Sequence, residues 1–120
     1  MMNGFPDAEI HEMNGTKLKN PVIFAGFVGA GLVGTISVDY IINKLDMKEI
    51  GFLRSKHLPP STVFMQGRLR HPFRLYANNG GNICAIICEI IINREGIYTI
   101  ASSILDWAEK HGSNEIVVFD

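Results

Sequence analysis

The chain has 120 residues, 47% of them apolar, 19% charged and 9% aromatic, with 11 basic against 12 acidic side chains. So apolar and so nearly neutral a chain is not disordered, since disorder needs few apolar residues and an excess of one charge. Its length suits one domain able to bury about two-thirds of its unfolded surface, and no apolar stretch reaches the ~18–20 residues of a membrane helix.

In chain order, residues 1–20 are polar and aperiodic and read as a segment outside the domain, which then covers residues 21–120. After Pro21, residues 22–27 form a short apolar run that suits a strand buried on both faces. Gly29, Ala30 and Gly31 make a turn, and a helix is predicted over residues 32–45. Residues 50–54 are a second strand, and Pro59 and Pro60 stiffen the loop that follows. Residues 62–66 and 73–77 read as two strands joined by residues 67–72, and Asn78, Asn79, Gly80 and Gly81 are a strong turn signal. Residues 83–92 form the longest predicted strand, and Gly96 opens a helix over residues 97–111 that Gly112 stops. Residues 115–119 make a last strand. Two strand–helix–strand units around a hairpin region argue for an α/β fold with a mixed sheet and helices on its faces.

The two helices differ. The second has one broad apolar arc and an opposite polar face, as in a helix laid on a sheet. The first has two apolar stripes, Leu32, Val33, Ile36 and Tyr40 on one side and Val38, Ile41, Ile42 and Leu45 on the other. One stripe faces the sheet, and the other requires a second cover: a neighbouring element, a second subunit, or a piece of protein absent from this chain. Val38, Ile42 and Leu45 are taken as the partner-facing stripe, and the chain is expected to be a homo-oligomer.

Charge is distributed unevenly. No acidic residue lies between Glu49 and Glu89, an interval holding Arg54, Lys56, Arg68, Arg70 and Arg74. Arg68, Arg70 and Arg74 are candidates for binding an acidic partner, or else a solvated edge strand whose charge opposes aggregation. The domain as a whole is not basic and interleaves no aromatic platform with its arginines, so nucleic acid is not an expected partner. Glu89 interrupts an apolar strand, and pairing with an arginine of the hairpin accounts for it better than catalysis.

Gly29, Ala30, Gly31, Leu32, Val33 and Gly34 match G-x-G-x-x-G between a strand and a helix. Such a turn can hold a phosphate or nucleotide on backbone N–H groups at a helix N-terminus. The ribose carboxylate of a dinucleotide site is missing, because the second strand ends in Arg54. The alternative is a tight turn in which Gly34 permits close helix–sheet packing. His11, His57, His71 and His111 lack ligand spacing, the serines lack a nucleophile-elbow context, and Cys84 and Cys88 read as buried, reduced thiols. No catalytic, metal or cofactor set is predicted. The opening of the chain carries no signal-peptide pattern, and a cytoplasmic location is expected.

The run from Gly26 through Phe27, Val28, Gly29, Ala30, Gly31, Leu32 and Val33 to Gly34 resembles the "G-F-x-D-A-G-L-V-G" opening of the proteasome assembly chaperone 2 family. Further matches are Pro59 and Pro60, residues 70–76, the strand ending in Glu89, and Ile104, Leu105, Asp106 and Trp107 in the second helix. Gly29 departs from the motif, standing where the family usually has Asp. The resemblance implies a three-layer α/β/α fold with a mixed, mostly parallel sheet, similar to that of nucleoside phosphorylases. It also implies a non-catalytic assembly factor whose partners are proteasome α-subunits and further copies of itself. Family domains are longer, so the chain is expected to correspond to their N-terminal half. The alternative from the residues alone is a phosphate- or nucleotide-binding enzyme or sensor.

Overall fold

The computed structural model describes residues 7–13, 17–28, 32–58, 63–65 and 67–119. In chain order its elements are β1 (Glu9–Glu12), β2 (Val22–Phe27), α1 (Val33–Lys44), β3 (Lys48–Arg54), β4 (Val63–Met65), β5 (Arg68–Arg70), β6 (Phe73–Ala77), β7 (Ile83–Cys88), a 3-10 turn (Arg94–Gly96), α2 (Ile97–Lys110) and β8 (Glu115–Phe119). Six strands form one mixed sheet in the order β1-β3-β6-β7-β2-β8, and β4 and β5 form a separate hairpin. Four of the six strands run in one direction. Both pairings of β2 are parallel, whereas β1–β3, β3–β6 and β6–β7 are antiparallel.

Alternation along the central strands builds two cores. On β7, Cys84, Ile86 and Cys88 face α2, where they meet Ile23, Leu53, Phe73, Leu75, Ile100, Ile104 and Trp107. Ala85 and Ile87 face the other way and pack with Val38, Ile42, Met47 and Tyr76. The two helices therefore cover opposite faces of one sheet, the three-layer arrangement expected. A strand covered on both faces has no room for polar positions, which is why β7 reads as one continuous apolar run. It stops at Cys88, earlier than the sequence predicts, and Glu89 lies beyond it. Burial pushes the thiols of Cys84 and Cys88 up, to about 12 and about 11, and both are free and buried.

Two elements lie outside the sequence reading. Glu9–Glu12 pairs with β3 as an edge strand, so part of the polar segment joins the sheet. Residues 67–72 contain β5, which pairs with β4 rather than linking two strands of the main sheet.

Glu12 fastens β1 to α2. Its Oε1 accepts a hydrogen bond from Trp107 Nε1 at 2.9 Å and lies 2.6 Å from His111 Nε2. Burial pushes this carboxyl up, but the bonds from Trp107 and His111 and the charges of His111 and Lys110 outweigh it and hold it below its ordinary value. A depressed folded value favours folding above the ordinary carboxyl range, and that contribution disappears as pH falls through the folded value. Unfolding followed by the fluorescence of the single Trp107 at neutral and acidic pH checks this. Glu12→Gln is expected to lower stability at neutral pH and to lose part of the acid dependence.

Candidate protein-binding surfaces

The orientation of α1 is set by two glycines. An added Cβ on Gly26 of β2 would lie 2.3 Å from the carbonyl oxygen of Gly34, and one on Gly34 would lie 2.4 Å from that of Phe119. With hydrogen in both places, the first turn of α1 settles onto β2 and β8. Residues at i+4 and i+8 from Gly34 must then face the sheet. These are Val38 and Ile42, 0% and 7% exposed.

This reverses the expected assignment of the two stripes. Val38 and Ile42 are core residues and present no surface to a partner, while Leu45, just past the helix, is partly exposed. The stripe turned to solvent is Leu32, Val33, Ile36 and Tyr40, 58%, 63%, 64% and 65% exposed. The signal that identifies the sheet side was in the sequence. Gly34, Val38 and Ile42 fall four apart, and a glycine that permits close packing belongs on the packed side.

The three arginines do not form one patch either. Arg68 is exposed on β5. Arg70, on the same hairpin strand, places Nη1 2.9 Å from Glu49 Oε1 in a largely buried pair. Arg74 lies on β6, between β3 and β7, and is 1% exposed, so it is not a docking residue. Its Nε donates to Tyr76 Oη at 2.9 Å, and its Nη1 donates to the His71 carbonyl at 2.8 Å and lies 2.5 Å from Glu89 Oε1. The carboxylates bounding the acid-free interval thus pair with arginines inside it.

Around this cluster the rings of His11 and Phe52 stack at 5.2 Å, and those of Phe52 and His71 approach to 4.8 Å. Burial pulls the His71 imidazole down from its ordinary value, and the charges of Arg54 and Arg74 act the same way. A neutral ring suits its hydrogen bond, because Nδ1 accepts from the Phe73 N–H at 3.3 Å. The assembly is a packed ionic and aromatic network rather than an open site.

The candidate anion-binding turn, Gly29, Ala30 and Gly31, lies outside the described residues, as do Pro59 and Pro60. Among the described residues, no cluster of three or more His, Cys, Asp or Glu side chains could hold a metal ion, and no helix is long and apolar enough to cross a membrane.

Residues 23–120 match the model of the PAC2 family. Protein MJ0106 of Methanocaldococcus jannaschii is 32% identical over 89 residues, which are 74% of this chain and 37% of that protein. A protein of unknown function from Thermoplasma acidophilum has the same fold, with a TM-score of 0.80 and 40% identity over 84% of this chain and 42% of its own. PbaA of Pyrococcus furiosus, an archaeal homolog of proteasome-assembly chaperone, matches with a TM-score of 0.78 and 28% identity over 91% of this chain and 46% of its own. The fold is also that of Pyrococcus furiosus PbaB, an archaeal proteasome activator, at a TM-score of 0.76 and 18% identity over 92% of this chain and 49% of PbaB. The chain spans about half the length of these structures or less. By its matched residues and by its sheet and helices, the chain belongs to the PAC2 family.

Proposed function

We propose that this chain is a non-catalytic protein-binding factor that acts in the cytoplasm in proteasome assembly, with proteasome α-subunits as partners. The observation that carries the reading is the outer stripe of α1. Leu32, Val33, Ile36 and Tyr40 stand more than half exposed on a helix whose opposite side is already buried. Four large apolar side chains in a row on the outside of a three-layer fold are costly in water and are characteristic of a surface that meets protein. Similarity to PbaA, described as a homolog of proteasome-assembly chaperone, supports the class of partner.

The stripe is exposed, so polar substitutions there leave the core intact. Ile36→Asp combined with Tyr40→Ser is expected to change folding stability by no more than ~0.5 kcal/mol, as for surface positions generally. The same pair is expected to weaken binding to α-subunits about tenfold or more, the loss typical of an apolar anchor. Native electrophoresis of the chain with purified α-subunits reads this out. Equal complex formation by wild type and variant would remove α1 as the contact. Failure of the wild type to form any complex would remove the α-subunit reading.

A further inference from the structure

Three asparagines of the chain are followed by glycine: Asn3, Asn14 and Asn79. Such a pair is chemically labile, because glycine has no Cβ to shield its backbone nitrogen from the side-chain amide that precedes it. Asn3 and Asn14 lie outside the described residues. Asn79 sits at the tip of the turn between β6 and β7, and both it and Gly80 are exposed.

The turn ties down its other asparagines and leaves this one loose. Asn78 Oδ1 accepts from the N–H groups of Asn82 at 3.1 Å and Ile83 at 3.0 Å, and Asn78 Nδ2 donates to Asn82 Oδ1 at 2.8 Å. Each of these two amides is therefore engaged, and the nitrogen after Asn82 is already a donor. Among the described residues, no hydrogen bond engages the Asn79 side chain or the Gly80 N–H. The labile amide and the nitrogen that can attack it are both free and both in water.

We propose that Asn79 is a site of spontaneous modification, converted by the Gly80 nitrogen and water into aspartate and isoaspartate, which slackens the β6–β7 turn. The Gly80 nitrogen gives up its proton to solvent base and attacks Asn79 Cγ. A Cγ–N bond forms, the Cγ–Nδ2 bond breaks, and Nδ2 takes up a proton and leaves as ammonia. Water then opens the five-membered imide. Cleavage between Cγ and the Gly80 nitrogen gives aspartate. Cleavage between that nitrogen and the main-chain carbonyl carbon of residue 79 gives isoaspartate, whose backbone runs through Cβ and Cγ. Water is consumed and ammonia released in equal amounts, with no change of oxidation state.

Either product puts a new carboxylate at the tip, and isoaspartate also lengthens the main chain inside the turn. That turn is closed by the Gly81 N–H, which donates to the Asn78 carbonyl at 3.1 Å. It is also a dock for the segment that enters β2. The Gly81 carbonyl accepts from the Lys19 N–H at 2.8 Å, and the Asn82 carbonyl accepts from the Val22 N–H at 3.0 Å. A longer turn moves both acceptors away from their donors. The inference is independent of the partner proposed for α1.

The test ages the folded chain at mildly alkaline pH until Asn79 of a parallel sample, unfolded in urea, has converted. Mass spectrometry of the tryptic peptide of residues 75–94, with fragmentation, places the change. Asn79 of the folded chain should exchange its amide for a carboxyl while Asn78, Asn82 and Asn93 stay intact. The peptide should then accept methyl groups from S-adenosylmethionine in the presence of an isoaspartyl methyltransferase. In the aged chain, the Lys19 and Val22 amides should exchange with deuterium faster than in fresh protein. Gly80→Ala should keep the fold and lose most of the conversion, since its Cβ would meet only the movable end of Asn82, at 3.1 Å. Asn79→Gln should lose it as well, because the longer side chain must close a six-membered ring. An intact Asn79 in the folded chain, equal conversion of Asn78 and Asn82, or equal conversion in Gly80→Ala would each overturn the site. Unchanged exchange at Lys19 and Val22 would overturn the slackening.

Discussion

Replacing Arg74 by Ala is expected to destabilise the fold by about 3–5 kcal/mol, the cost of breaking a buried ion pair by deleting one member. The side chain is 1% exposed and bonds Tyr76 Oη, the His71 carbonyl and Glu89. Its removal leaves three polar groups short of a partner. The converse change, Glu89→Gln, leaves the deeper charge behind. Arginine cannot shed its proton to escape, whereas the Glu89 side chain is 29% exposed and can rehydrate. Glu89→Gln is therefore expected to destabilise as well, but less than Arg74→Met, because Arg74 keeps its bonds to Tyr76 and the His71 carbonyl and the amide oxygen of the new side chain can still accept from it. The double variant Arg74→Met with Glu89→Gln should recover part of the loss, because neither charge then remains buried alone. Urea unfolding of the four proteins gives the coupling directly. Single and double losses that simply add would mean that the pair acts as two independent groups.

That pairing marks how far the sequence could be read. The gap in acidic residues between Glu49 and Glu89 was visible, and so was the argument that Glu89 needs a basic neighbour on the adjacent strand. What the pattern could not supply was that the two carboxylates bounding the gap neutralise two of its arginines, so that only Arg68 of the three candidates stays unburied. Runs of charge in sequence become patches only if the side chains share a surface. Here Arg70 belongs to a hairpin and Arg74 to a central strand. β3 hides a second point. Its bulge between Glu49 and Gly51 puts Glu49 and Phe52 opposite Tyr76 and Arg74, while Ile50 and Leu53 enter the α2 core. A strict period of two would set Ile50 and Phe52 on one face.

The elements themselves were legible because strongly apolar strands and an amphipathic second helix carry the signal in their own period. β1 was not. Four residues with two glutamates and a histidine hold their place through β3 pairing and through Glu12, and neither partner is visible locally. The first helix was legible as a helix but not in its orientation. Both of its stripes are similarly apolar, and hydrophobicity alone cannot say which faces inward.

The decisive residue is Gly34, and Gly26→Ala tests the contact it makes. The new methyl carbon would sit 2.3 Å from the Gly34 carbonyl oxygen and 2.8 Å from both its carbonyl carbon and Val38 Cγ2. Backbone in a helix cannot turn aside as a flexible side chain can, so α1 must lift from β2. The expected cost is about 3 kcal/mol, at the upper end of the ~1–3 kcal/mol typical of overpacking. Gly34→Ala pushes instead on the Phe119 carbonyl at 2.4 Å and should cost a similar amount. Both changes are relieved by the same displacement of the first turn of α1. The second should then cost less once the first is present, and the double variant should fall short of the sum by about 1 kcal/mol or more. Thermal unfolding of the single and double variants measures this. Strict additivity would mean that the two glycines serve separate contacts. In that case the inward orientation of Val38 and Ile42, and with it the outward stripe through Ile36 and Tyr40, would not be fixed by this seat.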